Sequence, residues 1–218
     1  DFTVSGMSVS LADGGFSGTV SGRMTGLPAI DSTMIDASIN GMQVTSRGLG
    51  SFISGWMKES SLDIGHFAPG TTFNVKASAK GPMNRLQVNA DINSATGSLR
   101  GNLRLDNAVA KGRPIGLSGT IGTKDLDIGK IVGTGLVGPV TLNAGIRSSL
   151  GSEGEPARAT IDSLSISRLH LYGYDYSRIS GEGVLSAEGF DGRITCDDPN
   201  LNFLFHGQVA LSPKSSNA

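Results

Sequence analysis

The chain has 218 residues, a formal net charge of -1 and a single cysteine, Cys196. Without a basic excess or a Lys/Arg run it lacks what a nucleic-acid backbone or an anionic surface requires, and one thiol builds neither a disulfide framework nor a zinc cluster. With 32 glycines and only 6% aromatic and 17% charged residues, a large helical core is excluded: glycine weakens a helix by ~1 kcal/mol per interior site relative to alanine, and the abundant Ser, Thr, Val and Ile favour pleated chain.

In chain order, the first local signal is Gly48 to Ser60, where Phe52, Ile53, Trp56 and Met57 predict a short connecting helix. A period-2 run follows, with Phe73, Val75, Ala77 and Ala79 alternating with Asn74, Lys76, Ser78 and Lys80. A second run places Leu86, Val88, Ala90 and Ile92 against Gln87, Asn89 and Asp91. The Gly81-Pro82-Met83-Asn84-Arg85 stretch between them predicts a hairpin. Leu99, Leu103 and Leu105 continue the pattern. Asp127 is placed to cap a single helical turn through Lys130, Ile131 and Val132.

Another strand carries Val140, Leu142, Ala144 and Ile146 on one side. Between 159 and 171 the apolar parity changes twice, from Ala159 and Ile161 to Leu164 and Ile166, then to Leu169 and Leu171. Bulges that keep the apolar side inward are expected there. Tyr172, Tyr174 and Tyr176 are expected to share a strand face as half-buried cross-strand residues, and Asp197-Asp198-Pro199-Asn200 reads as a turn. Leu201, Phe203 and Phe205 form the last run, and 212–218 reads as a terminal tail. Leu62-Asp63-Ile64-Gly65 recurs 64 residues later as Leu126-Asp127-Ile128-Gly129, each copy preceding an alternating strand, which suggests a stacked repeat.

No stretch approaches the ~20 apolar residues of a spanning helix, and no signal-peptide pattern opens the chain, so it reads as a piece of a longer protein. Catalysis has no evident seat. Gly133-Thr134-Gly135-Leu136-Val137-Gly138 matches G-x-G-x-x-G, but Pro139 and a period-2 run follow where a dinucleotide site needs a helix. His66, His170 and His206 are scattered without ligand spacing, and no G-x-S-x-G elbow occurs. No catalytic residue, metal or cofactor is expected. A polysaccharide-acting β-helix using Asp197 and Asp198 would need coil repeats of roughly 20 to 25 residues, which are missing.

The inward residues are often Ala, Val or Gly, too slight to close a dense core. Such a face either meets a second sheet or remains an open trough. Three segments carry a family resemblance: Ala159-Thr-Ile-Asp-Ser-Leu; Tyr172-Gly-Tyr-Asp-Tyr-Ser-Arg-Ile-Ser-Gly-Glu-Gly; and Phe190-Asp-Gly with Asp197-Asp-Pro-Asn-Leu-Asn-Phe. With Leu126-Asp-Ile-Gly-Lys and Gly138-Pro-Val-Thr-Leu-Asn-Ala before them, they resemble long AsmA/TamB-type proteins of Bacteroidetes-like Gram-negative bacteria over residues 60 to 211. The resemblance implies an elongated, curved antiparallel sheet forming a U-shaped apolar groove, a β-taco built from repeated hairpin units over 1–211. It also implies a periplasmic location within an inner-membrane-anchored protein, phospholipid as the cargo, and an outer-membrane β-barrel protein as a partner reached through other parts of the full-length chain. The expected function is non-enzymatic lipid transport between inner and outer membranes, the alternative a structural module assisting outer-membrane protein assembly. Phe73, Val75, Leu86, Val88, Leu99, Leu103, Val140, Leu142, Phe203 and Phe205 are the candidates to line the groove.

Overall fold

The computed structural model describes residues 1–10, 15–27, 29, 32–46, 71–107, 115–132, 134–150, 158–186 and 189–210. Alternation of polar and apolar residues governs nearly all of it. The strands are β1 (Phe2–Ser10), β2 (Phe16–Thr25), β3 (Met34–Thr45), β4 (Thr72–Pro82), β5 (Arg85–Ser94), β6 (Gly97–Asp106) and β7 (Ile115–Asp127). After the helical turn α1 (Ile128–Val132) come β8 (Val137–Leu150), β9 (Arg158–Leu171), β10 (Tyr174–Tyr176), β11 (Ile179–Ser186), β12 (Gly189–Asp198) and β13 (Leu201–Ala210). All thirteen belong to one open, curled antiparallel sheet, and each pairs with its sequence neighbours except that β10 and β11 both pair with β9.

The register explains the alternation. Cross-strand partners share a face, and the pairs Val75↔Ile92, Ala77↔Ala90 and Ala79↔Val88 are all apolar, while Asn74↔Asn93, Lys76↔Asp91 and Ser78↔Asn89 are all polar. The expected β4–β5 hairpin is present, with Met83 and Asn84 at its tip. The two parity changes in β9 coincide with register shifts against β8, one opposite Gly145/Ile146 and one opposite Thr141/Leu142. In both places an additional polar residue is accommodated so that Ile161, Leu164, Ile166 and Leu169 keep to one face. The same device recurs at Gly41 in β3, where φ is 69°, and at Asp125 in β7, where φ is 46°. Asp127 caps α1 as expected, its Oδ1 accepting from Lys130 N–H at 3.0 Å.

The polar face carries cross-strand ion pairs, two between register partners and one between Arg147 and the bulge residue Asp162. Lys80 meets Asp36 at 3.3 Å, Arg100 meets Asp91 at 3.4 Å, and Arg147 meets Asp162 in a close, forked contact. All are solvent-accessible and so contribute little to stability; their larger effect is to penalise slipped registers.

Few side chains of this sheet are fully buried. Phe73, Val140 and Cys196 are the buried apolar residues of the described strands, and their other apolar side chains are half-buried or exposed. Several expectations fall outside the described residues: the helix at 48–60, the first copy of the repeat at 62–65, His66, Gly133 and the tail at 212–218. Tyr172 corrects an expectation. It stands in the turn between β9 and β10 with φ at 51° and 74% of its surface exposed. It therefore does not share a strand face with Tyr174 and Tyr176.

Candidate functional site

The register builds one apolar face across the sheet. A single cross-strand row runs Met42, Val75, Ile92, Leu99, Thr123, Leu142, Ile166, Ile179, Cys196 and Phe203. From β3 to β13 this row crosses nine strand spacings, about 43 Å at ~4.8 Å each. A parallel row contains Val88, Leu103, Gly119, Ile146, Ile161, Gly183 and Gly192. Leu86 pairs with Leu105, Phe73 with Val44, Val140 with Leu126 and Leu169, and Phe205 with Ile194. All ten candidate lining residues therefore stand on the same face, in adjoining rows.

Strands β1 to β3 extend this face with Val4, Met7, Val20, Ile35, Ile39 and Met42, none of them singled out from the sequence. Their signal is broken by the bulges at Ser5-Gly6 and Asn40-Gly41 and diluted by Gly18 and Gly22 at face positions. At the other end, glycine serves packing. A Cβ at Gly183 or Gly192 would come within 2.8 or 2.7 Å of the Phe190 ring, so that ring lies against bare backbone. Phe190 also sits 6.4 Å from Phe205, centroid to centroid.

The two long rims of the face are finished differently. At the rim holding α1 and the β9–β10 and β12–β13 turns, Phe73, Val140 and Cys196 are buried. Here β10 and β11 form one strand line interrupted at Ser177-Arg178, where Arg178 has φ of 51°. The interruption leaves the Ser177 N–H without a ladder partner, and the buried Asp198 carboxylate accepts it at 2.8 Å. Asp198 also accepts from the Ser177 hydroxyl at 2.9 Å, the Tyr174 hydroxyl at 2.7 Å and the Asn200 N–H at 3.0 Å. Asn200 Nδ2 donates back to Tyr174 Oη at 2.8 Å. These donors, led by the Asn200 N–H, hold the Asp198 carboxyl down at about 2. The turn expected at 197–200 is present, and Asp198 is its structural brace; the sequence carried no sign of the strand break it repairs. Tyr174 and Tyr176 pack edge to face beside it, 4.7 Å between centroids. At the opposite rim the face ends in exposed apolar side chains, with Phe2 at 61%, Leu185 at 43% and Val209 at 47%.

The polar face offers a shallow concavity of about 720 Å³ lined by Asn89, Asn102, Thr120, Asn143, Arg100 and Lys124 among others. Arg100 is paired with Asp91 there. His170 Nδ1 lies 2.7 Å from Asp175, which Arg168 also contacts; these partners, the His170 ring first, hold the Asp175 carboxyl below its ordinary range. Among the described residues no three metal-ligating side chains gather, and no helix is long and apolar enough to cross a membrane. The described part of the G-x-G-x-x-G stretch, residues 134–138, runs into strand β8, not into the helix that a phosphate loop opens. Compared with known proteins, the chain matches no family model, no curated sequence and no solved structure.

Proposed function

We propose that the chain is a non-enzymatic lipid-holding segment that receives phospholipid acyl chains along its apolar face, as part of a periplasmic, inner-membrane-anchored conduit of the AsmA/TamB kind. One observation carries the reading: an apolar face continuous across the sheet, with no second layer described upon it. Soluble monomers rarely leave more than a few hundred Å² of contiguous apolar surface uncovered. Each acyl methylene removed from water contributes about 0.8 kcal/mol, so a row about 43 Å long can hold an extended chain through many small contributions. The sheet would then curl as a trough around its cargo, with Phe73, Val75, Leu86, Val88, Leu99, Leu103, Val140, Leu142, Phe203 and Phe205 among its lining. The family resemblance rests on the motifs quoted above and supplies the membranes at either end.

Native mass spectrometry and solvent extraction of the purified chain test the reading. Co-purifying phospholipid is expected, together with uptake of a labelled phospholipid. Leu142→Asp, in the middle of a central strand, should abolish uptake and leave the strand signal in circular dichroism unchanged. A chain that carries no lipid and takes up none sinks the proposal. It would favour the alternative, a structural module that assists outer-membrane protein assembly through a protein partner on the same face.

A further inference from the structure

Strand β3 lies inside the sheet, between β2 and β4. An interior strand is held by a ladder on each flank, and here a bulge interrupts both. Against β4 the pairing jumps from Ile39↔Ala77 to Met42↔Val75, and against β2 from Asn40↔Thr19 to Gln43↔Ser17. Gly41 therefore has no register partner on either side. It adopts φ of 69°, both it and Asn40 are exposed, and a Cβ built on Gly41 would meet nothing within 4 Å. Asn40-Gly41 is also the single Asn-Gly pair of the sequence. No hydrogen bond to another described residue holds the Asn40 carboxamide.

We propose that Asn40-Gly41 is a site of spontaneous deamidation in the folded protein. The deprotonated Gly41 nitrogen attacks Asn40 Cγ; the new N–Cγ bond closes a five-membered succinimide, the Cγ–Nδ2 bond breaks and ammonia leaves with the proton. Water then opens the ring. Addition at Cγ gives aspartate, and addition at the main-chain carbonyl gives isoaspartate, whose backbone runs through Cγ. Ring closure needs the asparagine to leave its extended conformation and bring Cγ over the next nitrogen, which a two-sided ladder prevents until it opens. At the bulge Gly41 has no ladder partner to give up, and glycine puts no side chain in the way of the ring. Asn93-Ser94, where a small residue also follows asparagine, shows the contrast. Asn93 pairs with Asn74 and Ser98, Ser94 pairs with Phe73 and Gly97, and Asn93 Nδ2 donates to Asp91 Oδ1. The fold also accommodates the products. Asn40 lines a concavity of the polar face together with Lys76, which has no ion-pair partner among the described residues. The new carboxylate is placed beside that ammonium, and the backbone methylene that isoaspartate adds falls where the strand already carries an additional residue.

Ageing the purified 218-residue chain in warm, mildly alkaline buffer, followed by ion exchange and peptide mapping, tests the proposal. The first acidic species to accumulate should carry its change at residue 40, with the mass gain of OH replacing NH2 and with isoaspartate and aspartate both present. Its rate should rise with pH. Conversion of Asn40 in the folded chain should stay within about tenfold of that in urea, whereas Asn93 should convert at least about a hundredfold more slowly folded than unfolded. Asn40→Gln should remove the species and keep the wild-type strand signal. An Asn40 that stays intact in the folded chain while the urea-unfolded chain converts overturns the proposal. So does a first acidic species arising at another asparagine, or a product that is aspartate alone, which would mean direct hydrolysis without the ring.

Discussion

The two rims of the apolar face are made of the same kinds of strand and do opposite things. Along the rim of α1 and the Asp198 brace, a broken ladder is repaired by a side chain, and nearly every buried residue among the described ones is found there: Gly15, Ser46, Phe73, Gly129, Gly138, Val140, Cys196 and Asp198. Along the other rim Thr33 alone is buried among the described residues, its hydroxyl donating to the Ala29 carbonyl at 2.9 Å, and Phe2, Leu185 and Val209 end in solvent, as Leu136 and Leu201 do at the first rim. The described sheet thus gathers its buried residues along one rim.

The largest effect that would test this contrast is Phe73→Ala. Removal of a ring that is 5% exposed should lower stability by about 3 kcal/mol, measured by urea denaturation. A smaller fall in the urea midpoint is expected for Asp198→Asn, which weakens an acceptor serving four donors, with Ser177 exchanging its amide hydrogen faster than wild type. At the accessible rim, Leu185→Ala should change stability by less than about 1 kcal/mol yet reduce phospholipid uptake measurably. If Leu185→Ala proved as destabilising as Phe73→Ala, the distinction between the rims would be lost. The smallest effect is on acidity. The Asp198 carboxyl lies at about 2 in the folded chain and at about 3.9 unfolded, so its contribution is complete above about pH 4 and disappears as pH falls through about 2. The near-ultraviolet signal of the Tyr174 and Tyr176 pair should be flat from neutrality to about pH 5. It should then decay as the carboxyl protonates, a step that Asp198→Asn should abolish.

The same contrast shows what was legible in the sequence. Strands β4, β5, β8 and β9 were readable because large side chains alternate cleanly there, and the parity changes in β9 announced bulges that the register places at those positions. The cap on α1 was readable because Asp127 acts over three residues. Strands β1 to β3 were not, since bulges reverse their parity and glycine occupies face positions. The Asp198 brace was hidden for a different reason. Its partners Tyr174 and Ser177 lie 24 and 21 residues away, and the need for it arises from a break in a strand line that no local pattern encodes.

Neighbour-only pairing has a kinetic meaning as well. Because almost every strand closes against its sequence neighbour, each ladder forms across a single connection, the longest lying between Thr45 of β3 and Thr72 of β4. Low contact order favours fast folding, and a sheet extended strand upon strand can grow from its first hairpin while later segments are still unfolded. Such a chain can acquire its structure progressively, in the order in which it emerges from a ribosome or a translocation pore.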